Sequence, residues 1–172
     1  MGNIFSGLPS IVSEAVAVVN PFVGLDTNKS KYKVSGVVIF RQKPEHVAIH
    51  IELQGLKKNA KHGFHIHETG DLREGCKSCC AHYNPTGSEH GGLTGDGHAG
   101  DLGNITSDGK GHCNMSITTG RFVIDDILGR SIIIHEDEDD LGRGGFDDSK
   151  TTGHSGARIA CAVIGIGKNG NC

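Results

Sequence analysis

The chain has no tryptophan, only two tyrosines, four prolines and two methionines. No stretch approaches the ~20 consecutive apolar residues of a membrane-spanning helix. Positive charge is not in excess either. The net charge is -3, so the basic footprint of a nucleic-acid binder is missing and no nucleic-acid partner is expected. No Lys or Arg precedes Lys29, and Glu14 interrupts the apolar run Ile11–Val19. A secretory signal peptide is therefore not expected, and the chain reads as cytoplasmic.

Glycine is abundant, at 27 of 172 residues, about double the usual share of roughly 7%. The glycines have no period of three, which excludes a collagen-like repeat. Combined with short β-branched runs, they argue for many turns and an all-β domain. Strands are expected at Ala15–Val19, Val34–Arg41, Val47–Leu53, Gly63–Glu68, Leu102–Thr106, Cys113–Ile117, Ser131–His135 and Arg158–Ile166. In Val47–Leu53 the apolar residues alternate, so one face is buried. Gly36 marks a bulge or a close backbone approach. Thr69–Gly100 and Glu136–Ala157 show no sustained periodicity. A structureless loop of such length inside one domain needs a reason. No internal repeat or domain boundary appears; residues 1–13 read as an N-terminal extension of no assigned order, and 14–172 as the domain.

The histidines supply that reason. In Gly63–Glu68 a period of two puts His65 and His67 on one face, where both can reach one ion. His82, His90, His98 and Asp101 follow inside the long loop, and His135 lies far downstream. Imidazoles with one carboxylate suit zinc and copper rather than magnesium or calcium. Metal ligation would pin a loop that otherwise lacks structure. The six cysteines form no paired C-x-x-C ribbon. Cys76, Cys79 and Cys80 cluster, while Cys113, Cys161 and Cys172 are scattered.

The segments GFHIHETGD, GCKSCCAHYNPTGSEHGG, HAGDLGN, IIIHEDEDDLGRGG and GARIACAVIGIG occur in order and resemble the copper/zinc superoxide dismutases. The resemblance implies an eight-stranded Greek-key β-barrel, sandwich-like in its packing, with two long functional loops. It implies a homodimer with superoxide as substrate, converted to oxygen and hydrogen peroxide. By the same resemblance, copper takes His65, His67, His82 and His135. Zinc takes His82, His90, His98 and Asp101, so that His82 bridges the ions as an imidazolate. Asp139 would accept hydrogen bonds from His65 and His90, Arg158 would attract the anionic substrate, and Cys76 would pair with Cys161. The remaining cysteines are read as thiols. His46, His50, His62, His112 and His154 match no ligand position.

The chain departs from that pattern in places. Two positions that often carry steering lysines read Asp137 and Thr151, with Lys150 next door. The His90–His98 gap is one residue shorter than usual, and Ile117–Ile127 is also short. Ala157 and Ile159 stand where chaperone-dependent relatives can carry proline, which points to copper loading without a dedicated copper chaperone. Subunit contacts are expected near Leu128, Gly129 and Ile166. Met1-Gly2-Asn3-Ile4-Phe5-Ser6 fits the myristoylation pattern at Gly2, and membrane contact is expected only if Gly2 is acylated. Two other readings compete: a non-enzymatic copper carrier or decoy, and a zinc-only structural domain. Retention of Arg158 and of every copper ligand argues against the first. His135 and the His65/His67 pair argue against the second.

Overall fold

The computed structural model describes residues 12–21 and 31–168. Gly2, Cys172 and most of the N-terminal extension lie outside them. Eight main strands are present: β1 (Glu14–Val19), β2 (Ser35–Gln42), β3 (Val47–Gln54), β4 (Lys61–His67), β6 (Asp101–Thr106), β7 (Cys113–Thr119), β8 (Ser131–His135) and β9 (Arg158–Val163). Two short strands join them, β5 (Arg73–Cys76) and β10 (Gly165–Ile166). One sheet runs β10-β1-β2-β3-β7 and the other β6-β4-β8-β9, every pairing antiparallel. The neighbours β3–β7 and β4–β8 are distant in sequence. Such crossovers make the Greek-key pattern, and the expected all-β class is the observed one.

The core lies between the two sheets. Phe40, Ile49, Ile51, Phe64, Ile66 and Ile134 are fully buried there. Removing each such side chain from water contributes roughly 1.5–3 kcal/mol. On β3 the alternation read from the sequence is the burial pattern, with Val47, Ile49, Ile51 and Leu53 inward. On β4 both faces are buried. Phe64 and Ile66 join the core, while His65 and His67 lie on the opposite side under the loops. Gly36 is a close approach: its φ is +142°, and a Cβ there would lie 2.0 Å from the Glu52 carbonyl oxygen on the next strand.

Two expectations need correction. The last strand does not run unbroken from Arg158 to Ile166. It stops at Val163, and the chain crosses from the β8 edge of one sheet to the β1 edge of the other. Buried Ile164 is the crossing point, its amide bonded to Arg130 O. The loop Thr69–Gly100 is not wholly irregular either. It contains β5 and a 3-10 turn at Lys77–Cys79, held by the Cys76–Cys161 disulfide to β9. The second loop carries only a helical turn, Ser149–Thr152.

Candidate metal centre

Strand β4 aims His65 and His67 away from the core, and β8 brings His135 beside them through the β4–β8 pairing. The first loop folds back so that His82 forms an isolated bridge with His67. One nitrogen from each of His65, His67, His82 and His135 lies within 4.8 Å of the others, all buried. The ring centroids of His65 and His82 are 4.1 Å apart.

A second cluster adjoins the first. Oδ1 of Asp101 lies 2.9 Å from His82 Nδ1, 3.0 Å from His90 Nδ1 and 3.2 Å from His98 Nδ1. His98 Nδ1 is 3.3 Å from His82 Nδ1. His65, His82, His90 and Asp101 also form a four-atom group within 4.8 Å, so the two clusters are contiguous. The other Asp101 oxygen accepts from the amides of Gly91 and His98, at 2.9 and 2.8 Å. That leaves Oδ1 turned toward the imidazoles.

Hydrogen bonds fix which nitrogen of each ring carries a lone pair. His67 Nδ1 donates to Cys80 O at 2.9 Å, and His135 Nδ1 to Gly156 O at 3.1 Å. His65 Nε2 and His90 Nε2 donate to the two oxygens of Asp139, at 2.7 and 2.8 Å. The opposite nitrogens face inward: His65 Nδ1, His67 Nε2, His82 Nε2 and His135 Nε2 are buried without any hydrogen-bond partner. His90 Nδ1, near Asp101 but out of line for a hydrogen bond, joins them. An unpaired buried polar atom costs roughly 1–3 kcal/mol. Several converging on two points can serve as the donor set of metal ions, although His62 Nε2, also buried and partnerless, belongs to neither group. Three imidazoles with one carboxylate fit zinc, and four imidazole nitrogens fit copper.

The protonation pattern agrees for three of these rings. Burial, reinforced by the neighbouring His82, holds His65 and His67 well below the ordinary imidazole range. Burial takes His135 down to about 4. These rings are neutral near pH 7, the form that ligates metal. Burial opposes charge on His90 too, but the Asp101 carboxylate 3.0 Å from Nδ1 and the Asp139 carboxylate bonded to Nε2 outweigh it and raise it to about 9, so this ring sheds a proton when it binds a cation. Burial also opposes the Asp101 charge, yet contact with His82, His90 and His98 keeps its carboxyl far below the usual carboxylate range.

Arg158 opens β9 beside this centre. Its Nη1 donates to Cys76 O at 2.7 Å and its Nη2 to Cys80 O at 2.6 Å. The Cys80 carbonyl thus serves both Arg158 and His67. Cys76 and Cys161 form the disulfide, while Cys79, Cys80 and Cys113 are thiols.

His62, expected to be no ligand, supports the site instead, and Asn104 and Arg121 were not expected there. His62 is fully buried and donates from Nδ1 to His135 O at 2.8 Å. Asn104 clamps Asp139 by exchanging two bonds with its main chain, at 2.9 and 2.8 Å. Arg121 reaches four carbonyls of the Gly92–Asp101 segment. Neither of these two has a local sequence signature.

Residues 34–164 match the family described as copper/zinc superoxide dismutase. A superoxide dismutase [Cu-Zn] of Paramecium bursaria Chlorella virus 1 is 47% identical over 143 residues, 81% of this chain and 76% of that protein. One from Candida albicans is 48% identical over 140 residues, covering 78% and 91%. An extracellular superoxide dismutase [Cu-Zn] of Drosophila melanogaster is 47% identical over 143 residues, covering 78% and 77%. The solved structure titled "Crystal Structure Analysis of the clock protein EA4" superposes with a TM-score of 0.82 at 32% identity, covering 93% of this chain and 98% of that one.

Proposed function

This chain belongs to the copper/zinc superoxide dismutase family, and from that premise we propose how its side chains divide the work. The enzyme converts superoxide to oxygen and hydrogen peroxide. His65, His67, His82 and His135 hold copper; His82, His90, His98 and Asp101 hold zinc. The observation that carries this reading is the set of buried, partnerless histidine nitrogens converging on two adjoining groups, which have His65 and His82 in common and His98 beside the second. When bound, copper supplies the one-electron exchange of the reaction and zinc a fixed positive charge beside it.

The protein's own groups do the rest. Arg158, held by two main-chain carbonyls, presents a fixed cation that draws in and orients the anionic substrate. Asp139 sets the tautomer of His65 and His90 and raises their basicity. His82 Nε2 is the ring atom at which a proton can be held and passed to reduced substrate. Gly156 O and Cys80 O keep the His135 and His67 rings from rotating, and His62 holds the His135 main chain.

Val18 and Ile166 are exposed on β1 and β10, and Val163 is partly exposed on β9. With Gly129 and half-buried Leu128, these exposed apolar residues support assembly with a second copy. Thiols at Cys79, Cys80 and Cys113 support cytoplasmic residence. Ala157 and Ile159 support copper loading without a dedicated chaperone.

One preparation tests the core of this. Copper and zinc per subunit are measured, then superoxide consumption. One of each metal with rapid turnover is expected. Loss of copper binding in His135→Ala with zinc retained supports the assignment. Full copper occupancy in that variant refutes it.

A further inference from the structure

Arg121 lies just after β7. Its guanidinium is half-buried and spends its donors on the main chain of one loop. Nη1 donates to His98 O at 3.0 Å and to Asp101 O at 3.2 Å. Nη2 donates to Gly92 O at 2.7 Å and to Gly95 O at 2.8 Å. One planar fork therefore gathers four carbonyls from a glycine-rich segment that contains two members of the Asp101 cluster. Glycine-rich backbone loses the most conformational freedom on ordering, so this segment needs external restraint to hold His98 and Asp101 in register.

The space for the fork is made by Gly97. A Cβ at residue 97 would lie 3.2 Å from Arg121 Nη1 and 3.2 Å from Asp101 Oδ2. Both segments that meet here are short: the His90–His98 gap and the stretch that follows β7 toward Ile127.

We propose that Arg121 is a positioning residue for the zinc half of the centre, setting zinc affinity by fixing the backbone that carries His98 and Asp101. The inference rests on the zinc assignment made above. Its sign is informative. A guanidinium beside a cation site repels the cation, so charge alone predicts that removing Arg121 tightens zinc. Positioning predicts the reverse.

The test uses full-length Arg121→Gln and Arg121→Lys proteins. Zinc affinity is measured by chelator competition, and the absorption of the cobalt(II)-substituted site is recorded. Melting of the metal-free proteins serves as a fold control. Arg121→Gln should bind zinc at least about ten-fold more weakly, as for lost supports of a metal ligand, with weaker, shifted cobalt bands. Arg121→Lys keeps the charge but not the planar fork, and should lie between the two. If Arg121→Gln does not fold, Arg121→Lys alone decides: weaker zinc supports the proposal, unchanged zinc overturns it. Unchanged or tighter zinc in Arg121→Gln overturns it too. Should the unmodified protein bind no zinc, or bind it equally well as Asp101→Ala, the zinc assignment itself has failed and this inference falls with it.

Discussion

Arg158 donates to the main-chain oxygen of Cys76 at 2.7 Å, and Cys76 is disulfide-bonded to Cys161, on the same strand as Arg158. Arginine and disulfide thus grip one loop from one strand. Breaking the sulfur bond frees the segment whose Cys80 carbonyl orients both Arg158 and His67. For Cys161→Ser a loss of roughly 2–4 kcal/mol is expected, or about 10 °C in melting temperature for a domain of this size. Activity should fall further than metal content does. Calorimetry and a dismutation assay at matched metal loading check both.

The salt dependence of the rate should be shallow. Asp137 and Thr151 are exposed where relatives often carry lysine, and Lys150 lies 3.4 Å from Glu89 in an exposed ion pair. Steering then rests mainly on Arg158, and a smaller field is screened by less. Arg158→Gln should lower kcat/KM by about ten-fold or more with both metals retained. A rate series across ionic strength measures the first effect, and metal analysis beside the assay the second. A steep decline with salt in the unmodified enzyme contradicts this account.

Asp139→Asn should lose copper before zinc. The carboxylate accepts from His65 on Oδ2, and from His90 and the Leu141 amide on Oδ1. An amide has one acceptor oxygen, which stays where two donors meet it, so its NH2 faces His65. His65 then loses the partner that fixes its tautomer. A 10- to 100-fold drop in copper affinity is the usual scale for such a loss. Chelator competition reads it directly.

Gly153→Ala should be far more harmful than Gly87→Ala. Both glycines have positive φ, +70° and +67°, so both substitutions carry a backbone penalty of about 1 kcal/mol. At residue 87 a methyl group meets nothing within 4 Å. At residue 153 it would sit 2.0 Å from Asp139 Oδ1 and 2.4 Å from His90 Nε2. The difference in melting temperature and zinc content between the two variants isolates the collision.

The metal-free protein should be most stable near pH 6.5 and weaken on both sides. His65, His67 and His135 resist protonation when folded, His135 down to about 4. The unfolded chain takes those protons near pH 6.5, so stability falls as pH drops from there toward 4. His90 is the opposite case. Raised to about 9, it contributes stability present below 6.5 and lost as pH rises through 9. Denaturant midpoints of the chelated protein across this range trace the curve. A monotonic profile rules the account out.

Much of the centre was legible because its information is local. A period of two on β4 is enough to put His65 and His67 together, and the alternation on β3 names its inward residues. The cysteine pairing came from family resemblance alone, since spacing left Cys76, Cys79 and Cys80 equivalent. The break at Ile164 was hidden because a strand leaving one sheet for another remains an apolar run. Arg121 and Asn104 were invisible for a related reason. Their partners are main-chain oxygens and amides distant in sequence, which any residue supplies.

His82 belongs to both clusters: its Nδ1 contacts Asp101, and its Nε2 is buried without a partner in the ring that groups with His65, His67 and His135. Occupancy of either pocket therefore alters the donor strength available to the other. Linkage makes that influence mutual: whatever factor one ion imposes on its neighbour's affinity is returned in full. A dissociation constant for either ion is thus a property of the pair, and any titration must state what the other pocket holds.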